Sequence, residues 1–120
     1  MSSKRILLVD DHLDTNRAVT VLLQRRGYTI DSATSMHEAL ALAAENSFDL
    51  IISDVGLPDG SGLELITTLK QKGPVLAIAV SGYCSEDDIR RSKEAGFVEH
   101  VAKPFNFAHL ESLIKKVLQL

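Results

Sequence analysis

The chain has 120 residues, a hydrophobic fraction of 45%, a formal net charge of −3 and one cysteine, Cys84. That length suits one domain spanning residues 1–120 with a full core, leaves no room for a second, and requires no disulfide or metal staple. No apolar run nears the roughly 18 residues of a membrane span, no basic leader opens the chain, and no basic stripe offers phosphate neutralisation, so a cytoplasmic domain without direct nucleic-acid or membrane contact is expected.

The first predicted strand, Arg5–Val9, is apolar and ends at Asp10 and Asp11. A helix near Asp14–Arg26 repeats Ala18, Val21, Leu22 and Arg25 at helical spacing, and Gly27 stands where a left-handed cap belongs. A strand is predicted at Tyr28–Ser32. Ser35 and Glu38 then have capping-box spacing before a helix near Met36–Glu45. Leu50–Ser53 reads as a buried strand ending at Asp54, and Asp59-Gly60 reads as a turn before a helix near Gly62–Gln71. A strand at Val75–Val80 precedes Ser81. Cys84 falls in the following loop, where a single thiol fits a reducing compartment and no metal motif. Gly96 closes a helix near Glu86–Ala95, and the last strand, Val98–Ala102, ends at Lys103-Pro104. Asn106 can cap a helix near Ala108–Leu118 with an apolar stripe of Leu110, Leu113, Ile114, Val117 and Leu118. The pairs Arg25-Arg26 and Arg90-Arg91 read as solvated helix faces.

Strand–helix alternation with short connections predicts an α/β fold: a doubly wound five-stranded parallel sheet with helices on both faces. Five units suit the flavodoxin-like order 2-1-3-4-5, which sets the first and third strands side by side and collects Asp10, Asp11 and Asp54 at the switch point. Three carboxylates in one crevice repel one another unless a cation joins them, and Mg2+ takes carboxylate, water and phosphate oxygens. A carboxylate there can attack phosphorus, while a lysine and a hydroxyl, supplied by Lys103 and Ser81, stabilise the charge on the phosphoryl oxygens.

Asp10-Asp11, Asp54 with Leu57-Pro58-Asp59-Gly60-Ser61-Gly62 behind it, Ser81-Gly82, and Lys103-Pro104-Phe105 resemble the receiver domain of two-component response regulators over essentially the whole chain. The resemblance implies that Asp54 is the phosphoacceptor, Asp11 a direct metal ligand and Asp10 the holder of metal-bound water. It implies that the backbone carbonyl of Gly56 completes the protein ligands of Mg2+, with Mn2+ able to replace it. Ser81 then turns toward the phosphoryl group, Lys103 pairs with a phosphoryl oxygen, and the bond before Pro104 is cis. The chain would accept phosphate from a histidine kinase or histidine phosphotransfer domain, act as a signalling switch rather than an enzyme, and lose phosphate by self-catalysed hydrolysis. Its output would be a downstream protein on the face of the fourth helix, fifth strand and fifth helix, or a phosphorylation-linked dimer.

His100 stands where the family usually has Tyr or Phe, so it either swings as that ring does or is a half-exposed histidine with no switching role. Gly56 and Tyr83 occupy positions that flank the hydrolytic water in receivers and tune phosphate lifetime; the first opens that path and the second can crowd it. The run from Ser81 to Pro104 is similar to receivers joined to hybrid sensor histidine kinases, whose parent protein can be membrane-tethered.

Three rivals are weighed against this reading. Haloacid-dehalogenase-type phosphatases carry a second aspartate two residues after the nucleophile, where this chain has His12 and Gly56. A dinucleotide-binding domain needs glycines in its first turn, which Asp10-Asp11-His12 fills. A receiver-like interaction module that no longer takes phosphate is the remaining alternative.

Overall fold

A computed structural model describes residues 4–82 and 84–120. Its elements in chain order are β1 (Arg5–Val9), α1 (Leu13–Arg25), β2 (Thr29–Ala33), α2 (Met36–Glu45), β3 (Leu50–Asp54), β4 (Gly56–Leu57), β5 (Gly60–Ser61), α3 (Gly62–Lys70), β6 (Ala77–Ser81), α4 (Glu86–Ala95), β7 (Glu99–Ala102) and α5 (Phe107–Leu118).

Five strands form a parallel sheet in the order β2-β1-β3-β6-β7, which is the expected 2-1-3-4-5 once the short β4–β5 hairpin is set aside. The central strands are apolar on both faces because helices cover both. Ile6, Leu8, Leu50, Ile52, Ile78 and Val80 pack with Val19 and Leu23 of α1 and Leu110 and Ile114 of α5. The alternate residues Leu7, Val9, Ile51, Ala77 and Ala79 pack with Ala39 of α2 and Leu65, Ile66 and Leu69 of α3.

Local chemistry sets the element ends. Ser35, Ser61, Ser85 and Asn106 each cap a helix by accepting a backbone N–H, and Ser85 with Asp88 completes a reciprocal box. The Ser35 cap is only half a box, since Glu38 reaches back to the backbone N–H and hydroxyl of Thr34 instead. Gly27 and Gly96 take positive φ at the ends of α1 and α4.

Several boundaries differ from the sequence expectation by one or two residues: β2, β3 and β6 each run one residue further, to Ala33, Asp54 and Ser81, β7 begins at Glu99 rather than Val98, α1 starts and ends one residue earlier, and α3 and α5 shift by one residue at an end. β2 begins at Thr29 because the Tyr28 N–H is spent on the Leu23 carbonyl at the end of α1 (3.2 Å). β6 begins at Ala77, where it pairs with Ile51, so Val75 and Leu76 lie outside the strand. The Asp59-Gly60 turn proves to sit in a hairpin, with Gly56 paired to Ser61 and Leu57 to Gly60.

Candidate functional site

Register explains the convergence of the strand ends. Val9 pairs with Ser53, so Asp10 and Asp54 extend one step beyond as neighbours. Asp54 pairs with Val80, which sets Ser81 one step further on, and Ser81 pairs with Ala102, which sets Lys103 there. The Lys103 N–H donates to the Ser81 carbonyl at 2.8 Å and fastens that last step. The Lys103–Pro104 bond is cis.

The crevice holds about 490 Å3 and is lined by Asp11, His12, Asp54, Gly56, Ser81, Gly82 and Lys103. Asp10, Asp54 and Ser81 are buried, at 5%, 7% and 2% exposure, while Asp11 faces solvent. Lys103 Nζ lies 2.8 Å from Asp54 Oδ2 and 3.1 Å from Asp10 Oδ2. Burial opposes the charge of that ammonium, but hydrogen bonds and charges of Asp54 and Asp10 outweigh burial and hold its pKa above the ordinary lysine value. Gly56 N–H points at Asp54 Oδ1 from 3.4 Å.

One ligand atom from each of Asp10, Asp11, His12 and Asp54 falls within 4.8 Å of all the others. Three carboxylates against one ammonium leave two negative charges uncompensated, and a hard divalent cation fits both that charge and the oxygen donors. This donor set accommodates Mg2+.

Sequence reasoning missed four contributors. The sequence reading uses His12 only to set aside the phosphatase and dinucleotide-binding rivals, yet its Nδ1 lies 3.1 Å from Asp10 Oδ1, 3.4 Å from Asp11 Oδ1 and 3.3 Å from Lys103 Nζ. Buried Asn16 donates to the carbonyls of Asp10 (3.0 Å) and Ala33 (3.1 Å), tying the ends of β1 and β2 to α1. Gly62 packs so tightly that an added Cβ would stand 2.3 Å from the Asp54 carbonyl oxygen. Asp59, in the hairpin turn, accepts the backbone N–H groups of Met36 (2.8 Å) and His37 (2.9 Å) at the start of α2. The capping residues had a type signal in the sequence; the packing of Gly62 had none.

His100, on β7, bridges two neighbours. Its Nδ1 lies 3.0 Å from buried Ser92 Oγ on α4, and its Nε2 lies 3.4 Å from Cys84 Sγ in the loop after β6. Tyr83 lies outside the described residues.

An open parallel sheet whose switch point carries clustered carboxylates and a lysine defines a class of α/β protein whose ligands gather at that crevice. Comparison with known proteins narrows that class. The family model for the response regulator receiver domain matches residues 6–115, and the chain belongs to that family. Response regulator protein PilR of Pseudomonas aeruginosa is 34% identical over the whole chain, which covers 27% of PilR. KdpE of Escherichia coli, a KDP operon transcriptional regulatory protein, is 32% identical over 95% of the chain, which spans 51% of that regulator. Sporulation initiation phosphotransferase F of Bacillus subtilis is 29% identical over the whole chain and 98% of its own length. A CheY-like receiver domain structure from Methanospirillum hungatei superposes with a TM-score of 0.93 at 34% identity, covering 98% of this chain and 95% of the other. TrrA of Thermotoga maritima, solved in complex with Mg(2+)-BeF, gives 0.85 at 35% identity over 95% and 98% of the two chains. Among the described residues no helix is long and apolar enough to cross a membrane.

Proposed function

We propose that residues 1–120 form one phosphoacceptor unit in which Asp54 takes a phosphoryl group and thereby changes the protein's contacts. The observation that carries this reading is the Lys103 ammonium 2.8 Å from Asp54 Oδ2 inside a cluster of carboxylates at the sheet's switch point. An Asp54 carboxylate oxygen attacks the phosphorus of a phosphohistidine on a histidine kinase or histidine phosphotransfer domain. The new O–P bond forms as the P–N bond breaks, and the donor imidazole leaves. Lys103, already on Asp54, passes to a phosphoryl oxygen, and the Ser81 hydroxyl turns to another, so both meet charge where it develops.

Asp11, Asp54 and the Gly56 carbonyl would hold Mg2+, or Mn2+ in its place, with Asp10 on a bound water. When bound, that cation neutralises the phosphoryl oxygens. An apolar groove of about 500 Å3 runs from His12 and from Lys103, which contacts Asp54, between Leu22 of α1 and Phe107 of α5, and gives a donor domain a surface to cover during transfer.

Movement of Ser81 reaches the partner face through the loop after β6. Cys84 joins that loop to His100, and His100 joins it to Ser92, so the imidazole couples loop, β7 and α4. The downstream protein, or a second phosphorylated copy, meets the face of α4, β7 and α5. Gly56 leaves the approach to Asp54 open, because no atom lies within 4 Å of the place a Cβ would occupy, and together with Tyr83 it sets how fast water removes the phosphate. Acceptance and loss are self-catalysed, without turnover of a separate substrate. The setting is cytoplasmic, and a hybrid histidine kinase is one parent that would carry such a unit.

Backbone NMR with beryllofluoride tests the reading. Mg2+ alone should shift only resonances around the acidic cluster, whereas beryllofluoride and Mg2+ together should extend the shifts to Ser81 and the α4–β7–α5 face, and beryllofluoride without Mg2+ should do neither. A spectrum indifferent to the pair would mark a phosphorylation-independent interaction module.

A further inference from the structure

The imidazole of His12 enters the charged cluster from the turn between β1 and α1, and its Nδ1 sits among oxygen donors rather than beyond them. It lies 3.1 Å from Asp10 Oδ1, 3.4 Å from Asp11 Oδ1 and 3.7 Å from Asp54 Oδ2. Metal–ligand bonds of about 2.1 Å set neighbouring donors of an octahedron about 3 Å apart and opposite donors about 4.2 Å apart. The separations from Nδ1 to the three carboxylates fall in that range; the whole set lies within 4.8 Å, wider than one octahedron, so the side chains would draw in on an ion. The atom His12 shares with the cluster is also a neighbour of a cation already, since Lys103 Nζ stands 3.3 Å from Nδ1. With its proton on Nε2, the ring presents a lone pair to whatever positive charge occupies the crevice. The backbone holds the ring's residue in place as well, because the His12 N–H donates to Asp10 Oδ1 at 2.8 Å.

Carboxylate and water suit Mg2+, whereas imidazole suits Zn2+, Ni2+ and Cu2+, and affinity rises from Mn2+ through Ni2+ to Cu2+, with Zn2+ below Cu2+. We propose that His12 Nδ1 is a metal ligand that opens this site to imidazole-preferring transition-metal ions, so that Ni2+ or Zn2+ competes with Mg2+ at the acidic cluster. The inference rests on the reading of the cluster as the cation site of a phosphoacceptor. A transition metal held by a nitrogen as well as by carboxylates would leave more slowly than Mg2+, and the site would respond to metal supply as well as to its phosphodonor.

The test compares Mg2+ and Ni2+ binding by calorimetry for the unaltered chain, His12→Ala and Asp11→Asn. The inference requires that His12→Ala weaken Ni2+ at least tenfold while Mg2+ changes less than twofold, and that Asp11→Asn weaken both. Ni2+ affinity that survives His12→Ala within twofold overturns it, as does an equal fall for both metals, which would mean a structural role for the ring. Ni2+ binding untouched by Asp11→Asn also overturns it, by placing the metal on another histidine. Nitrogen-15 spectra of the unaltered chain give a second arm that needs no variant: added Zn2+ must move His12 Nδ1 and leave His37, His100 and His109 in place. A chain that binds neither metal overturns both the inference and the phosphoacceptor reading beneath it. One that binds Mg2+ but shows no dependence on His12 overturns the inference alone.

Discussion

Lys103 holds two carboxylates that a divalent cation would also claim, so it acts as a resident counter-charge. Replacing it with Gln should tighten Mg2+ on the order of tenfold, about 1.4 kcal/mol, while slowing phosphoryl transfer, and calorimetry beside a phosphorylation time course separates the two effects. Weaker Mg2+ binding in that variant would refute the competition. Gly62 is constrained from the opposite side of Asp54. A Cβ there would stand 2.3 Å from the Asp54 carbonyl oxygen and 3.0 Å from Ser53 Oγ, so the strand end must move. Gly62→Ala should cost about 1–3 kcal/mol, as overpacking does, and urea unfolding together with the phosphorylation rate should show both losses. The acidic residues and Lys103 were legible in the sequence because each closes an apolar run, and the end of a strand is a position that pattern alone can find. Gly62 and His12 were not, because the reason for each is a contact with a residue distant in the fold or an orientation that no spacing encodes.

Asp59 shows how a turn residue can build an element rather than end one. Backbone N–H groups of His37 and Met36 hold its carboxyl below the ordinary 3.8. A depressed folded-state pKa means the contribution to stability is complete above that value and is lost as pH falls through the folded value. Asp59→Ala should therefore lower the urea midpoint at neutral pH, and the gap should close once the pH falls well below 3.8. A gap of constant size would contradict the carboxylate's role. Asn16 is the corresponding tie on α1. Its loss would strip a donor from the Asp10 carbonyl, whereas the Ala33 carbonyl keeps the Asp10 N–H at 3.0 Å. Asn16→Ala should cost about 1–2 kcal/mol for that one unsatisfied group, read by denaturant unfolding, and an unchanged midpoint would contradict the tie. The helices were legible from Ser35, Gly27, Gly96 and Asn106, whose types signal caps. The β4–β5 hairpin was not, because two-residue strands leave no periodicity, and the start of β2 moved because tertiary hydrogen bonding claimed the Tyr28 N–H.

At the scale of the molecule, the order β2-β1-β3-β6-β7 does the collecting. It sets β1 and β3 together although Asp10 and Asp54 are far apart in sequence, and the same sheet carries Ser81 and Lys103 to the same edge. Alternating apolar runs made the parallel sheet legible, and five strand–helix units suited this order among the few that doubly wound sheets adopt. The contacts of His100 with Cys84 and Ser92, on which the proposed route to the outer face depends, were less legible, because only packing reveals them. The central claim is that this topology makes Asp54 a phosphoacceptor. Intact-mass analysis after incubation with acetyl phosphate tests it most directly. The account predicts a gain of one phosphoryl group that requires Mg2+ and disappears in Asp54→Asn; no gain, or an equal gain in that variant, would contradict it.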